Sequence, residues 1–168
     1  MASRKSAQIT NRDAVPSVFN TNTTGPVARA FNSVAKITAV ASADVSGDVY
    51  RFMEVPTNCR VDTVKLWCGA LAGSSAADIG VYRNTRDGGA VVDADFFASA
   101  QSLVSALSGT EVSNESTVYT LAKREQPLWQ AVGLSADPGG TFDICATLTA
   151  TVNTGGDILL SVTGVSPT

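Results

Sequence analysis

From residue 33 onward the chain is a series of short runs in which apolar and polar residues alternate, broken by clusters of Gly, Pro, Asp and Asn. Residues 33–42 (SVAKITAVAS) read as a strand, and Asp44 to Gly47 as a turn. In 48–55 (DVYRFMEV) the alternation puts Val49, Met53 and Val55 on one side and Tyr50 and Phe52 on the other. Pro56-Thr57-Asn58 turns the chain into 60–68 (RVDTVKLWC), where Val64, Leu66 and Cys68 share a face and Trp67 lies opposite. After a loop of small residues, 77–83 (ADIGVYR) point Ala77, Ile79 and Val81 inward. The run Asn84 to Gly89 is a polar turn. Near the end, Phe142, Ile144, Ala146 and Leu148 alternate with Asp143, Cys145, Thr147 and Thr149. Ile158, Leu160 and Val162 then form one face of 157–163.

The middle departs from this period. In 93–107, Phe96, Phe97, Ala100, Leu103, Val104 and Leu107 suit a helical stretch of one to three turns, with a strand as the alternative. At 126–132 Pro127 opens a short helix, Leu128, Ala131 and Val132 lie at helical spacing, and Gly133 ends it. Many short strands, strong turns and one or two short helices predict an all-β protein, a jelly-roll β-sandwich spanning 33–168. Residues 1–32 show neither period and read as an extended N-terminal arm.

Charge sharpens that division. The first 36 residues carry net +4 and the remaining 132 carry net −7. Within the arm, Arg4, Lys5, Arg12 and Arg29 accompany the apolar residues Val15, Val18, Phe19 and Phe31. A purely solvated tail needs no such apolar residues, so these eight are the candidate docking residues of the arm. The acidic body lacks the clustered bases that phosphate binding requires, so nucleic acid is not an expected partner. No run approaches the ~20 apolar residues of a membrane span, and no apolar stretch follows Arg4 and Lys5 as in a secretory signal.

Candidate chemistry is sparse. There is no histidine, which removes the usual general base and the commonest metal ligand. Cys59, Cys68 and Cys145 match no zinc spacing and read as buried free thiols, in keeping with folding in a reducing cytosol; a Cys59–Cys68 bridge is the alternative. Asp93 and Asp95, with Asp87 nearby, form the one acidic pair, read as a helix cap and solvated turn. Asp137-Pro138-Gly139-Gly140 is a turn and lacks the oxygen ligands of a calcium loop. Gly88-Gly89 and Gly139-Gly140 fit no phosphate-loop spacing. Tyr50, Trp67, Tyr82 and Trp129 read as core or interface, a sugar-binding platform being the alternative. Asn114-Glu115-Ser116 matches the glycosylation pattern without a secretory route to use it. No catalytic residues, metal or cofactor are expected.

Five stretches carry a resemblance: RFMEVPTNCRVDTVKLW, ADIGVYR, GGAVVDADFFASA, QPLWQAVGLSADPGGTFDICATLTAT and GGDILLSVT. In this order they resemble the decoration, or cement, proteins of tailed bacteriophage heads, over most of residues 50–163. The resemblance implies a jelly-roll subunit on the outer surface of a phage capsid, made in a bacterial cytoplasm. It implies the major capsid protein as partner and self-association as a trimer or a dimer, the homotrimer ahead of the homodimer. Related sequences serve as fibre or spike bases, so a receptor- or carbohydrate-binding module is the alternative. The arm lies outside the resemblance.

Overall fold

The computed structural model describes residues 29–166. Eight strands carry the fold: β1 (Arg29–Ala39), β2 (Val49–Pro56), β3 (Arg60–Cys68), β4 (Ala76–Arg83), β5 (Val91–Ser102), β6 (Leu107–Glu111), β7 (Thr141–Leu148) and β8 (Gly156–Ser166). Two single-turn helices, α1 (Leu121–Arg124) and α2 (Leu128–Ala131), lie between β6 and β7. A 3-10 turn, Thr85–Asp87, occupies the polar turn expected at 84–89.

The pairing is nested. β1 pairs with β8, β2 with β7, β3 with β6 and β4 with β5, all antiparallel. The chain is thus one long hairpin folded about the β4–β5 connection. Two further pairings, β3 with β8 and β4 with β7, assemble four-stranded sheets of order β1-β8-β3-β6 and β2-β7-β4-β5. A doubled hairpin wrapped into two sheets is the jelly-roll arrangement.

Alternation buries one face of each sheet against the other. Ile158, Leu160 and Val162 of β8 meet Phe142, Ile144, Ala146 and Leu148 of β7 in the core, as their periods predict. Bulges modify the rest. An extra residue between Val61 and Thr63 lets Val61 and Val64, three apart, both face inward. The same device in β2, between Arg51 and Met53, buries Tyr50, Phe52 and Val55 together. The expected grouping of Val49, Met53 and Val55 fails for that reason: Val49 is exposed and Met53 half-buried.

Residues 93–107 are not helical. β5 runs to Ser102 with three register shifts against β4, and β6 begins at Leu107. The bulged backbone turns the consecutive Phe96 and Phe97 both inward, where their ring centroids lie 4.9 Å from each other and 5.2 and 5.3 Å from that of Tyr119. Clustered apolar residues at irregular spacing imitate a helical face when a strand is this strongly bulged. The short helix near 126–132 is present as α2, with Pro127 at its N-cap and Gly133 at φ 88° beyond its end. Its first amides, of Leu128 and Trp129, donate to the carbonyls of Cys59 and Thr57. β1 starts at Arg29, so Arg29–Asn32, expected in the arm, are strand residues paired with β8.

Gly80 carries the β5 bulge. A Cβ there would lie 2.1 Å from the Asp93 carbonyl oxygen and 2.3 Å from the Ala94 carbonyl carbon, so the bulged backbone crosses the glycine directly. Gly80→Ala should destabilise the fold by about 3 kcal/mol, the upper end of the overpacking range. Gly69→Ala, where nothing lies within 4 Å, is the control. Urea denaturation measures both, and equal midpoints would refute the close approach.

Candidate functional site

At one end of the first sheet, the start of β1, the end of β8 and the start of β3 form an open groove of about 580 Å3. Gly164 makes it possible. A Cβ on Gly164 would fall 2.3 Å from the Arg60 carbonyl oxygen and 2.8 Å from the Phe31 ring. Without that atom, the Phe31 ring lies on the β8 backbone. Apolar Phe31, Val61 and Val165 line the groove together with Arg60, Asp62 and Arg124.

Arg124 is held from behind. Its Nη2 lies 3.4 Å from Glu111 Oε1 and 3.3 Å from Asn114 Oδ1, and its guanidinium carbon is 5.7 Å from the Tyr119 ring centroid. The Tyr119 hydroxyl donates to the Val61 carbonyl, and burial pushes its pKa up to about 12. The lining contains no lysine, histidine or cysteine. An apolar surface edged by guanidinium and carboxylate groups suits an extended peptide segment better than a reaction.

On the second sheet a single arginine joins several strands. Arg51 Nη1 lies 2.7 Å from Asp143 Oδ2, and the same guanidinium donates to the carbonyls of Arg83 and Gly89. It also stands 5.4 Å from the Tyr82 ring centroid. One side chain thus ties β2 to β7 and to the β4–β5 connection. These three hydrogen bonds make the cluster a clamp, beside a shallow pocket of about 230 Å3 lined by Arg51, Met53, Glu54, Thr85 and Asp143.

The candidate residues of the arm divide between two regions. Arg4, Lys5, Arg12, Val15, Val18 and Phe19 lie outside the described residues. Arg29 is exposed in the first residue of β1, and Phe31 is half-buried against the core. The aromatic platform does not form. Tyr50 and Tyr82 are buried, with their hydroxyls bonded to Asp44 and Thr147, and Trp67 lies against Gly109. All three cysteines are free and buried; burial raises Cys59 and Cys145 to about 12 and also raises Cys68.

No protein-family model and no curated protein matches the chain. A phage capsid chain shares its fold. That chain, from the cyanophage Pam1 capsid asymmetric unit, superposes with a TM-score of 0.52 over 92% of this chain and 97% of its own length, at 12% identity. The likeness therefore runs through both chains almost from end to end.

The groove was not apparent from sequence, because its residues come from four distant segments. An isolated glycine in a strand, here Gly164, is the one local sign of a close approach. The acidic pair lies on bulged β5 and not at a helix cap. The Asp93 carboxyl titrates above its ordinary value, chiefly through burial and then through the adjacent Asp95; Lys123 opposes the shift. A carboxyl raised on folding binds its proton more tightly in the folded state, so ionisation costs stability as pH rises through the gap between unfolded and folded values. Asp93→Asn should raise the melting temperature at neutral pH, with the gain vanishing below about pH 4, where both states are protonated. Calorimetry across pH 3 to 8 checks this, and a gain independent of pH would contradict the origin assigned to it.

Proposed function

We propose that the protein is a structural component of a phage virion. In this reading it decorates the outer surface of the head, binds the major capsid protein and bridges its neighbouring subunits, with copies also meeting one another on the shell. The observation that carries the reading is the shared fold with a capsid chain, which extends over 92% of this chain and 97% of that one. The sequence resemblance to decoration proteins agrees with it, as does the groove suited to a peptide segment. The burial of Tyr50 and Tyr82 weighs against a carbohydrate-binding module built on those rings.

The division of charge supports a two-part attachment. The acidic body alone would be repelled by an acidic shell, whereas Arg4, Lys5 and Arg12 would be drawn to one, with Val15, Val18 and Phe19 supplying apolar contact. Many weak contacts on one particle add by avidity.

The test is co-sedimentation of the purified chain with phage heads stripped of their decoration. The full chain should bind and raise the temperature at which heads rupture. Removing residues 2–28, which leaves β1 whole, should weaken binding about tenfold or more without changing the melting temperature of the body. Binding should also weaken as salt rises from about 0.05 to 0.5 M. A full chain that leaves the heads bare and their rupture temperature unchanged would refute the assignment.

A further inference from the structure

Two arginines of the body are satisfied very differently. Arg51 has three oxygen acceptors at 2.7 to 3.0 Å. Arg124, in the groove lining, has Glu111 and Asn114 at 3.3 to 3.4 Å. A guanidinium bonded to a carboxylate normally stands about 2.7–2.9 Å from it. Both contacts are made by Nη2. Among the described residues no acceptor meets Nε or Nη1, so the donors on those two nitrogens are left for an incoming group. The Arg124 side chain is only 27% exposed, so much of this charge is held away from water.

The element that carries Arg124 fits a recognition role. α1 is a single turn without a side-chain cap and buries none of its residues, so it adds little to the core. Its last two residues place cations beside aromatic rings instead. Lys123 Nζ is 5.2 Å from the Phe96 ring centroid, and Arg124 stands by Tyr119. Tyr119 in turn is fixed by its bond to the carbonyl of Val61, itself a lining residue. Leu121 precedes Arg124 by three residues, which sets their side chains on one face of the turn, and it is almost fully exposed. Apolar surface thus borders the guanidinium in the groove, at Phe31, Val61 and Val165, and on its own helix.

We propose that Arg124 is the recognition residue of the groove, and that its ligand is a carboxylate side chain, flanked by apolar residues, on an extended segment of the major capsid protein. This rests on the reading of the protein as a capsid-binding component of the virion. The carboxylate accepts from Nε and Nη1, and its apolar neighbours cover Phe31, Val61 and Val165. Those neighbours also exclude water, which strengthens the bond they surround. The charges of the lining favour an acid, since it holds the guanidiniums of Arg60 and Arg124 and the one carboxylate of Asp62. A segment bearing lysine would be repelled by that balance, and a neutral one would leave Arg124 poorly satisfied. The same acidic partner would draw Arg4, Lys5 and Arg12.

Two measurements on the full chain separate this site from the capsid reading. In the first, the protein without any shell is titrated with end-capped peptides of Ser and Gly that carry Leu-Glu-Leu, Leu-Gln-Leu or Leu-Lys-Leu at the centre, and is followed by two-dimensional NMR. The Leu-Glu-Leu peptide should shift the Arg124 Nε–H signal and the amides of Val61 and Val165, and should bind about tenfold or more tighter than the other two. Arg124→Gln should abolish that preference. Arg86→Gln, in the β4–β5 turn and outside the lining, should keep it. In the second, stripped heads should bind Arg124→Gln about tenfold or more weakly than Arg86→Gln. Circular dichroism confirms that each variant is folded. Equal affinity for the three peptides, or a preference that survives Arg124→Gln, overturns the proposal. So does a peptide that binds only after residues 2–28 are removed, since that segment would then be the occupant. Heads that bind both variants equally overturn the proposal and leave the capsid reading standing. Bare heads beside an intact peptide preference overturn the capsid partner and leave the carboxylate site standing.

Discussion

Nested antiparallel pairing is the constraint on which the rest of the molecule depends. Each strand of the first half finds its partner in the second half, and the separation grows from β4–β5 outward to β1–β8. A slip in an inner pair would therefore shift the outer pairs and turn their core residues toward solvent. The bulge over Gly80 sits at the innermost pair, where the register of the whole wrap is set. The Arg51 clamp ties the same connection to β7. Pairing of this kind closes long loops before it gains contacts, which makes such folds slow to form.

Where a strand lies straight, its period could be read directly. Phe142 to Leu148 and Ile158 to Val162 alternate without interruption and face the core as their spacing predicts. The short helix between Pro127 and Gly133 carries its own start and stop. Legibility fails at the bulges. Phe52 with Val55, Val61 with Val64, and Phe96 with Phe97 are all buried, yet none of these pairs keeps a spacing of two. A bulge is chosen by the partner strand and by what crosses it, and neither is visible in a window of ten residues. α1 escaped notice for a different reason: it buries no residue, and Leu121 is 84% exposed.

The two ends of the pattern also bear on function. The groove unites residues near 30, 60, 124 and 164, which only the closed pairing brings together. The first sheet ends in an edge without interruption, whereas both edges of the second are broken by bulges. That asymmetry gives the sandwich distinct sides: one with an uninterrupted edge strand, one held fast by Arg51. An acidic body with a basic N-terminal stretch adds a second distinction, along the chain instead of across the sheets.

The sealed thiols have a consequence of their own. A sulfur attacks as its thiolate, and with Cys59 and Cys145 raised to about 12 by burial, almost none exists at neutral pH. These two thiols are therefore closed to the ordinary route of disulfide exchange while the fold is intact, and all three cysteines stand unbridged.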